Sequence, residues 1–116
     1  MKPFDFNEYQ RTIPFEPMGS SGSIWRCMPR IVCVDGFTMS VQATHTHYCS
    51  PRDDGCYTYD AVEVGYPTAK EETLMLYAED PDNPTNTVYG YVPVRIINDI
   101  VNAHGGRVEP THLTTE

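Results

Sequence analysis

From Phe37 to Ala43 apolar and polar residues alternate: Phe37, Met39, Val41 and Ala43 against Thr38, Ser40 and Gln42. Successive side chains of a strand point to opposite faces, so this pattern predicts a strand with its core face at the odd positions. Ile31-Val32-Cys33-Val34 precedes it across Asp35-Gly36, a pair suited to the positive φ of a tight turn, and the whole reads as a hairpin. A different period governs the C-terminal third. Pro93, expected at the first helical position, opens a stretch to His104 in which Val94, Ile97, Val101 and His104, widened by Ile96 and Ile100, form one apolar stripe. Arg95, Asn98, Asp99 and Asn102 lie opposite, and Gly105-Gly106 stops the helix.

Between these two signals the chain supplies shorter ones. Tyr57 to Tyr66 is rich in Tyr, Thr and Val and reads as a strand, as does Thr87 to Val92. Thr68 followed by Glu71 has capping-box spacing, and Leu74, Met75 and Ala78 give the apolar side of a short helix that Pro81 ends. Ser50 to Gly55 and Asp80 to Pro84 are turn-forming clusters. Upstream, Pro3, Pro14 and Pro17 predict irregular backbone, and Gly19-Ser20-Ser21-Gly22-Ser23 a flexible connector. Phe4, Phe6, Tyr9, Ile13 and Phe15 nevertheless require this arm to pack on the domain. The expected organisation is an arm and connector over 1–23, one domain over 24–106 and a tail over 107–116. The expected class is α+β: a small, mostly antiparallel sheet of about four strands with one short and one longer amphipathic helix.

Composition narrows the function more than the fold. A chain of 116 residues supports one core, and 8 Tyr, 4 Phe and 1 Trp are too many for a disordered acidic tail. The net charge of −8 opposes direct binding to a phosphate backbone. Acids and prolines interrupt the N-terminus where a secretory signal needs an apolar run, and no stretch is long enough for a membrane span. The expectation is therefore a cytoplasmic protein whose Cys27, Cys33, Cys49 and Cys56 are thiols.

His45, His47 and Cys49 fall at i, i+2 and i+4; on a continued strand they share a face, and Cys56 could complete a zinc tetrahedron. The same segment could make a Cys–His nucleophile oriented by Asp53 or Asp54. Against both stand the missing paired CxxC spacing and the ease with which any His-rich turn near a Cys fits such a pattern. The 19–23 segment lacks the Lys and the strand-to-helix setting of a phosphate loop. No paired-carboxylate, oxyanion or dinucleotide motif stands out, so the reading is of a binding protein without catalytic residues, metal or cofactor.

Charge is concentrated. Residues 53–94 carry Asp53, Asp54, Asp60, Glu63, Glu71, Glu72, Glu79, Asp80 and Asp82 against Lys70 alone, a net −8 that equals that of the whole chain. On a helix Glu72 and Glu79 would lie about 10 Å apart along one face, flanked by Glu71 and extended by Asp80 and Asp82. Charge runs are often only solvated surface. Here tyrosines are interleaved with the acids, and tyrosine offers rigid contact area with a polar tip. Glu71, Glu72, Glu79, Asp80 and Asp82, with Tyr66 and Tyr77 as anchors, are the expected contacts to a protein partner with a basic surface.

The segments HYCSPR (His47–Arg52), VEVGYP (Val62–Pro67), YAEDPDNP (Tyr77–Pro84), TVYGYVPV (Thr87–Val94) and HGG (His104–Gly106) bring in a resemblance. Over some 70 residues, from about Phe37 to Gly106, the chain resembles small proteins of bacteriophages and prophages. That resemblance transfers no residue-level role. It implies an inhibitor of host defence, an anti-CRISPR protein that docks on a subunit of a bacterial CRISPR effector inside the host cell and competes with nucleic acid for its groove. The alternatives are a small zinc-stabilised or Cys/His-dependent enzyme built on 45–56, and a structural or accessory phage protein. A homo-oligomer stays open.

Overall fold

The computed structural model describes residues 3–13, 16–18, 23–25 and 28–109. Its centre is a meander of four antiparallel strands in the order β3-β4-β5-β6: Ile31–Val32, Thr38–Gln42, Ala61–Gly65 and Val88–Pro93. The alternation expected in β4 is realised, with Phe37, Met39, Val41 and Ala43 buried and Thr38, Ser40 and Gln42 half-buried. The α+β class holds.

The β3–β4 turn differs from a two-residue Asp-Gly turn. Cys33 and Phe37 close the ladder (N···O 2.8 Å), Gly36 N–H donates to the Cys33 carbonyl, and only Gly36 has positive φ, at 97°. Val34, Asp35 and Gly36 thus form a three-residue loop ending in a left-handed glycine. The strand expected over 57–66 begins at Ala61, because 56–59 is held by the N-terminal helix instead. In β6 a bulge sets Gly90 and Tyr91 opposite Glu63, between the pairs Val62↔Val92 and Val64↔Tyr89. That extra residue resets the alternation, so Tyr89 and Val92, three positions apart, both face the core.

Helix α2 spans Val94–Ala103 and buries Ile97, Ile100 and Val101 against the sheet. Pro93 is its N-cap residue rather than its first helical one. The glycine stop is realised: Gly106 N–H reaches the Val101 carbonyl (2.9 Å) and Gly105 N–H the Asn102 carbonyl (3.2 Å), with both glycines at positive φ. The polar face of α2 is not simply solvated. Asn98 accepts the Phe6 N–H (2.7 Å), and Asn102 both accepts the Phe4 N–H and donates to the Phe4 carbonyl.

These bonds dock an arm that is more ordered than its prolines suggest. Helix α1, Phe6–Gln10, starts at Asp5, whose carboxylate accepts the Asn7 and Glu8 N–H groups. It buries Phe6, Tyr9 and Gln10, and Phe6 and Tyr9 join the same core as α2 and the sheet. Glu16–Met18 (β1) and Ser23–Trp25 (β2) pair with each other as a separate hairpin. Phe15, Cys27 and most of the expected connector, Gly19 to Gly22, lie outside the described residues.

Both outer strands of the meander are covered along part of their length. Residues 106–108, where the tail was expected to begin, run beside β3: Val34 N–H donates to Gly106, Val108 N–H to Val32, and Cys33 bridges Arg107. On β6, Ala78 bridges Tyr89 and Glu79 N–H donates to Val88 (2.9 Å). Such partial strands occupy the backbone groups through which exposed edges join other chains. Among the described residues no helix is long and apolar enough to cross a membrane.

Candidate interaction face

The segment from Tyr66 to Thr87 carries most of the acidic residues singled out above, and backbone bonds hold it from end to end. Tyr66 closes β5 at positive φ (50°); its N–H donates to the Thr87 carbonyl and its carbonyl accepts Arg30 Nη2 at 2.5 Å. Thr68 does not cap a helix. Its N–H donates to the Thr38 carbonyl and its hydroxyl accepts the Thr38 N–H, so it is tied to the start of β4 instead.

The α-helix expected at 68–78 is a 3₁₀ helix, Glu72–Tyr77, entered from Glu71 without a side-chain cap. Its bonds step by three residues, as in Leu74 N–H to Glu71 and Ala78 N–H to Met75. Three residues per turn line up Leu74 with Tyr77, and Thr73 with Leu76. The first row faces the core: Leu74 is 0% exposed and Tyr77 is half-buried against the core cluster. The second faces outward, with Leu76 93% exposed.

Beyond the helix the chain turns back along β6. Thr87 is the hub of this region: its carbonyl accepts from Tyr66 and its hydroxyl accepts the Asp80 N–H (3.0 Å). The Asp80 carboxylate accepts from Asp82 N–H and Asn83 Nδ2, while the buried Tyr89 hydroxyl donates to the Pro84 carbonyl. The loop is thereby held by its own hydrogen bonds.

The structure gathers some of the expected contacts and separates others. Tyr66, half-exposed, Glu79 and Asp80 meet around Thr87 and Val88, and Glu72, Glu79, Asp80 and Asp82 are all exposed. Glu72 pairs with Lys70 at 3.3 Å. Because the helix is 3₁₀ and ends at Tyr77, Glu72 and Glu79 do not form a seven-residue α-helical row. Tyr77 is scaffold as much as surface. Glu71 is turned inward: its carboxylate lies 2.7 Å from His104 Nε2.

That contact belongs to a cluster that pattern reading missed. His104 Nδ1 lies 2.5 Å from Asp35 Oδ2, and its ring stacks on Phe37 with centroids 4.3 Å apart and planes 11° from parallel. Burial alone would lower the His104 pKa, but the hydrogen bonds and charges of Glu71 and Asp35 outweigh it and raise it above the ordinary 6.5. The Phe37 N–H and then His104 hold Asp35 below the usual carboxylate range. Leu76 was also missed, having counted for neither stripe nor anchor.

In the 45–56 segment His45, His47 and Cys49 each engage other partners. The Asp54 carboxylate accepts the His45 N–H and contacts His45 Nδ1, both at 3.0 Å, and its pKa is held low chiefly by that imidazole. His47 Nδ1 lies 2.8 Å from the Thr44 hydroxyl. The buried Cys49 thiol donates to the Thr44 and Pro51 carbonyls, and burial raises its pKa, which disfavours the thiolate that a zinc ligand or a nucleophile requires. Among the described residues no group of three or more His, Cys, Asp or Glu is placed to hold a metal ion, and Cys33, Cys49 and Cys56 are free thiols.

Comparison of the chain with protein-family models, with curated proteins and with solved structures returns no match.

Proposed function

We propose that this protein is a non-enzymatic binding module that docks on a cationic protein surface through the 3₁₀ helix and the 79–86 loop. The observation that carries the reading is Leu76, 93% exposed on the 3₁₀ helix within the acidic segment. A leucine left in water forgoes about 1.5–3 kcal/mol of burial, which becomes available when a partner covers it. Glu72, Glu79, Asp80 and Asp82 supply the charged rim, and Tyr66 a rigid contact beside it. An apolar centre within a polar rim is the usual anatomy of a protein interface. Steering by the acids makes association fast and salt-sensitive.

In the specific form that the resemblance to phage proteins implies, the partner is a CRISPR effector subunit, and the acidic rim competes with nucleic acid for its basic groove. Glu71 is left out of the contact set because His104 holds it. The test is inhibition of target-DNA binding by purified guide-loaded effectors, using wild type, Leu76→Ser and the Glu72→Lys/Glu79→Lys double variant. Both variants should weaken inhibition, and charge reversal should also flatten its salt dependence. Undiminished inhibition by either overturns the proposed face.

A further inference from the structure

His104 closes α2, Asp35 sits in the β3–β4 loop, and Glu71 immediately precedes the 3₁₀ helix, so a single imidazole ties together three distant stretches of chain. Both ring nitrogens face a carboxylate oxygen, at 2.5 and 2.7 Å. A neutral imidazole has one N–H and one lone pair, and a lone pair aimed at a carboxylate at this distance is repulsive. With both carboxylates ionised, only the imidazolium, donating from both nitrogens, satisfies the arrangement. Phe37 beneath the ring and the Gly105-Gly106 stop behind it fix the ring's plane and position.

We propose that His104, Asp35 and Glu71 form a proton-dependent clamp on the root of the docking segment, so that partner affinity falls as the imidazole loses its proton. The consequence for affinity rests on the docking function proposed above; the clamp itself is a property of the free protein.

The charged groups acting on the ring are Glu71 and Asp35. Cys33, just after β3, lies near both carboxylates; burial, then their charges, push its thiol up to about 11, so it stays neutral through the relevant range. The cations of the neighbouring segments are engaged elsewhere, Lys70 with Glu72 and Arg107 over the Tyr9 ring. Because the folded His104 pKa is raised, its contribution is fully present below the ordinary 6.5 and is lost as pH rises through the folded value. Because the Asp35 pKa is lowered, its contribution is present above the ordinary 3.8 and is lost as pH falls through the folded value. The His104–Asp35 arm of the clamp is in place between those two folded values.

Residue-resolved NMR titration of the full chain tests the clamp without a partner. The His104 ring should titrate with a midpoint above 6.5, and the amides of Glu72 to Tyr77 should shift with the same midpoint. That coupled shift should vanish in His104→Gln, which cannot titrate. Glu71→Gln and Asp35→Asn, which keep the side-chain size, should each lower the His104 midpoint and serve if His104→Gln does not fold. A midpoint at or below 6.5, or Glu72–Tyr77 amides indifferent to it, overturns the clamp. With an inhibited effector as probe, affinity should fall about tenfold per pH unit above the midpoint in wild type and stay flat in His104→Gln. Equal pH profiles of the two overturn the link to binding while leaving the clamp standing. Loss of the docking function itself is read separately, as Leu76→Ser binding like wild type.

Discussion

Replacing Leu74 with Ala and, separately, Leu76 with Ser asks which side of the 3₁₀ helix faces the core. The two residues are neighbours but one, with similar propensities, yet Leu74 is 0% and Leu76 93% exposed. Leu→Ala removes three carbons, about 2.4 kcal/mol at about 0.8 kcal/mol per buried carbon. The cavity left behind brings the expected cost to about 3–4 kcal/mol. At about 4 °C per kcal/mol for a domain of this size, Leu74→Ala should lower Tm by roughly 12–16 °C. Leu76→Ser should change stability by no more than about 0.5 kcal/mol, as an exposed substitution does. Urea unfolding followed by circular dichroism reads both, provided the slope with denaturant is unchanged between variants. A loss above about 1 kcal/mol for Leu76→Ser, or below that for Leu74→Ala, would refute the assigned rows and with them the apolar centre of the docking face.

Two other consequences are open to direct measurement. Asn98→Ala should cost about 1 kcal/mol and speed hydrogen exchange at Phe6, whose N–H it holds; Asn102→Ala, at an exposed site, should cost less while exposing the Phe4 N–H to exchange. In the native protein Cys56, half-buried, should react with a thiol reagent at neutral pH well before Cys33, which is buried and pushed up to about 11, and Cys49, which is buried and raised; equal rates for all three would contradict their assigned environments.

What the sequence disclosed depended on whether a single element's own pattern decided its place. The β4 alternation and the α2 stripe each bury one face against one core, so Met39, Val41, Ile97 and Val101 could be assigned from spacing alone. The 68–78 segment could not. Its Leu74 and Tyr77 serve α and 3₁₀ periods almost equally, and Thr68, a plausible cap, is tied to Thr38 instead. The arm packs on the domain as its aromatics require, but Asp5 starts a short helix where Pro3 and Pro14 predict irregular backbone. The β6 bulge left no mark on the pattern except the small Gly90, where a Cβ would come within 3.2 Å of Tyr48. The His104–Asp35–Glu71 cluster joins residues 33 and 69 positions apart in the chain, and no local period reports such a meeting. The acidity of the middle third was evident; that His104 removes Glu71 from the exposed set, and that Leu76 faces outward, required the fold.

The proposed docking face requires Leu76 and the acids of the 72–82 segment to be the surface that meets a partner. Purified guide-loaded CRISPR effectors, assayed for target-DNA binding with wild type and Leu76→Ser at low and raised salt, test this. Wild type should inhibit at least one effector, less so as salt rises, and Leu76→Ser should lose about tenfold in inhibitory affinity. Inhibition by Leu76→Ser equal to wild type, or no inhibition of any effector by either, contradicts the proposed face.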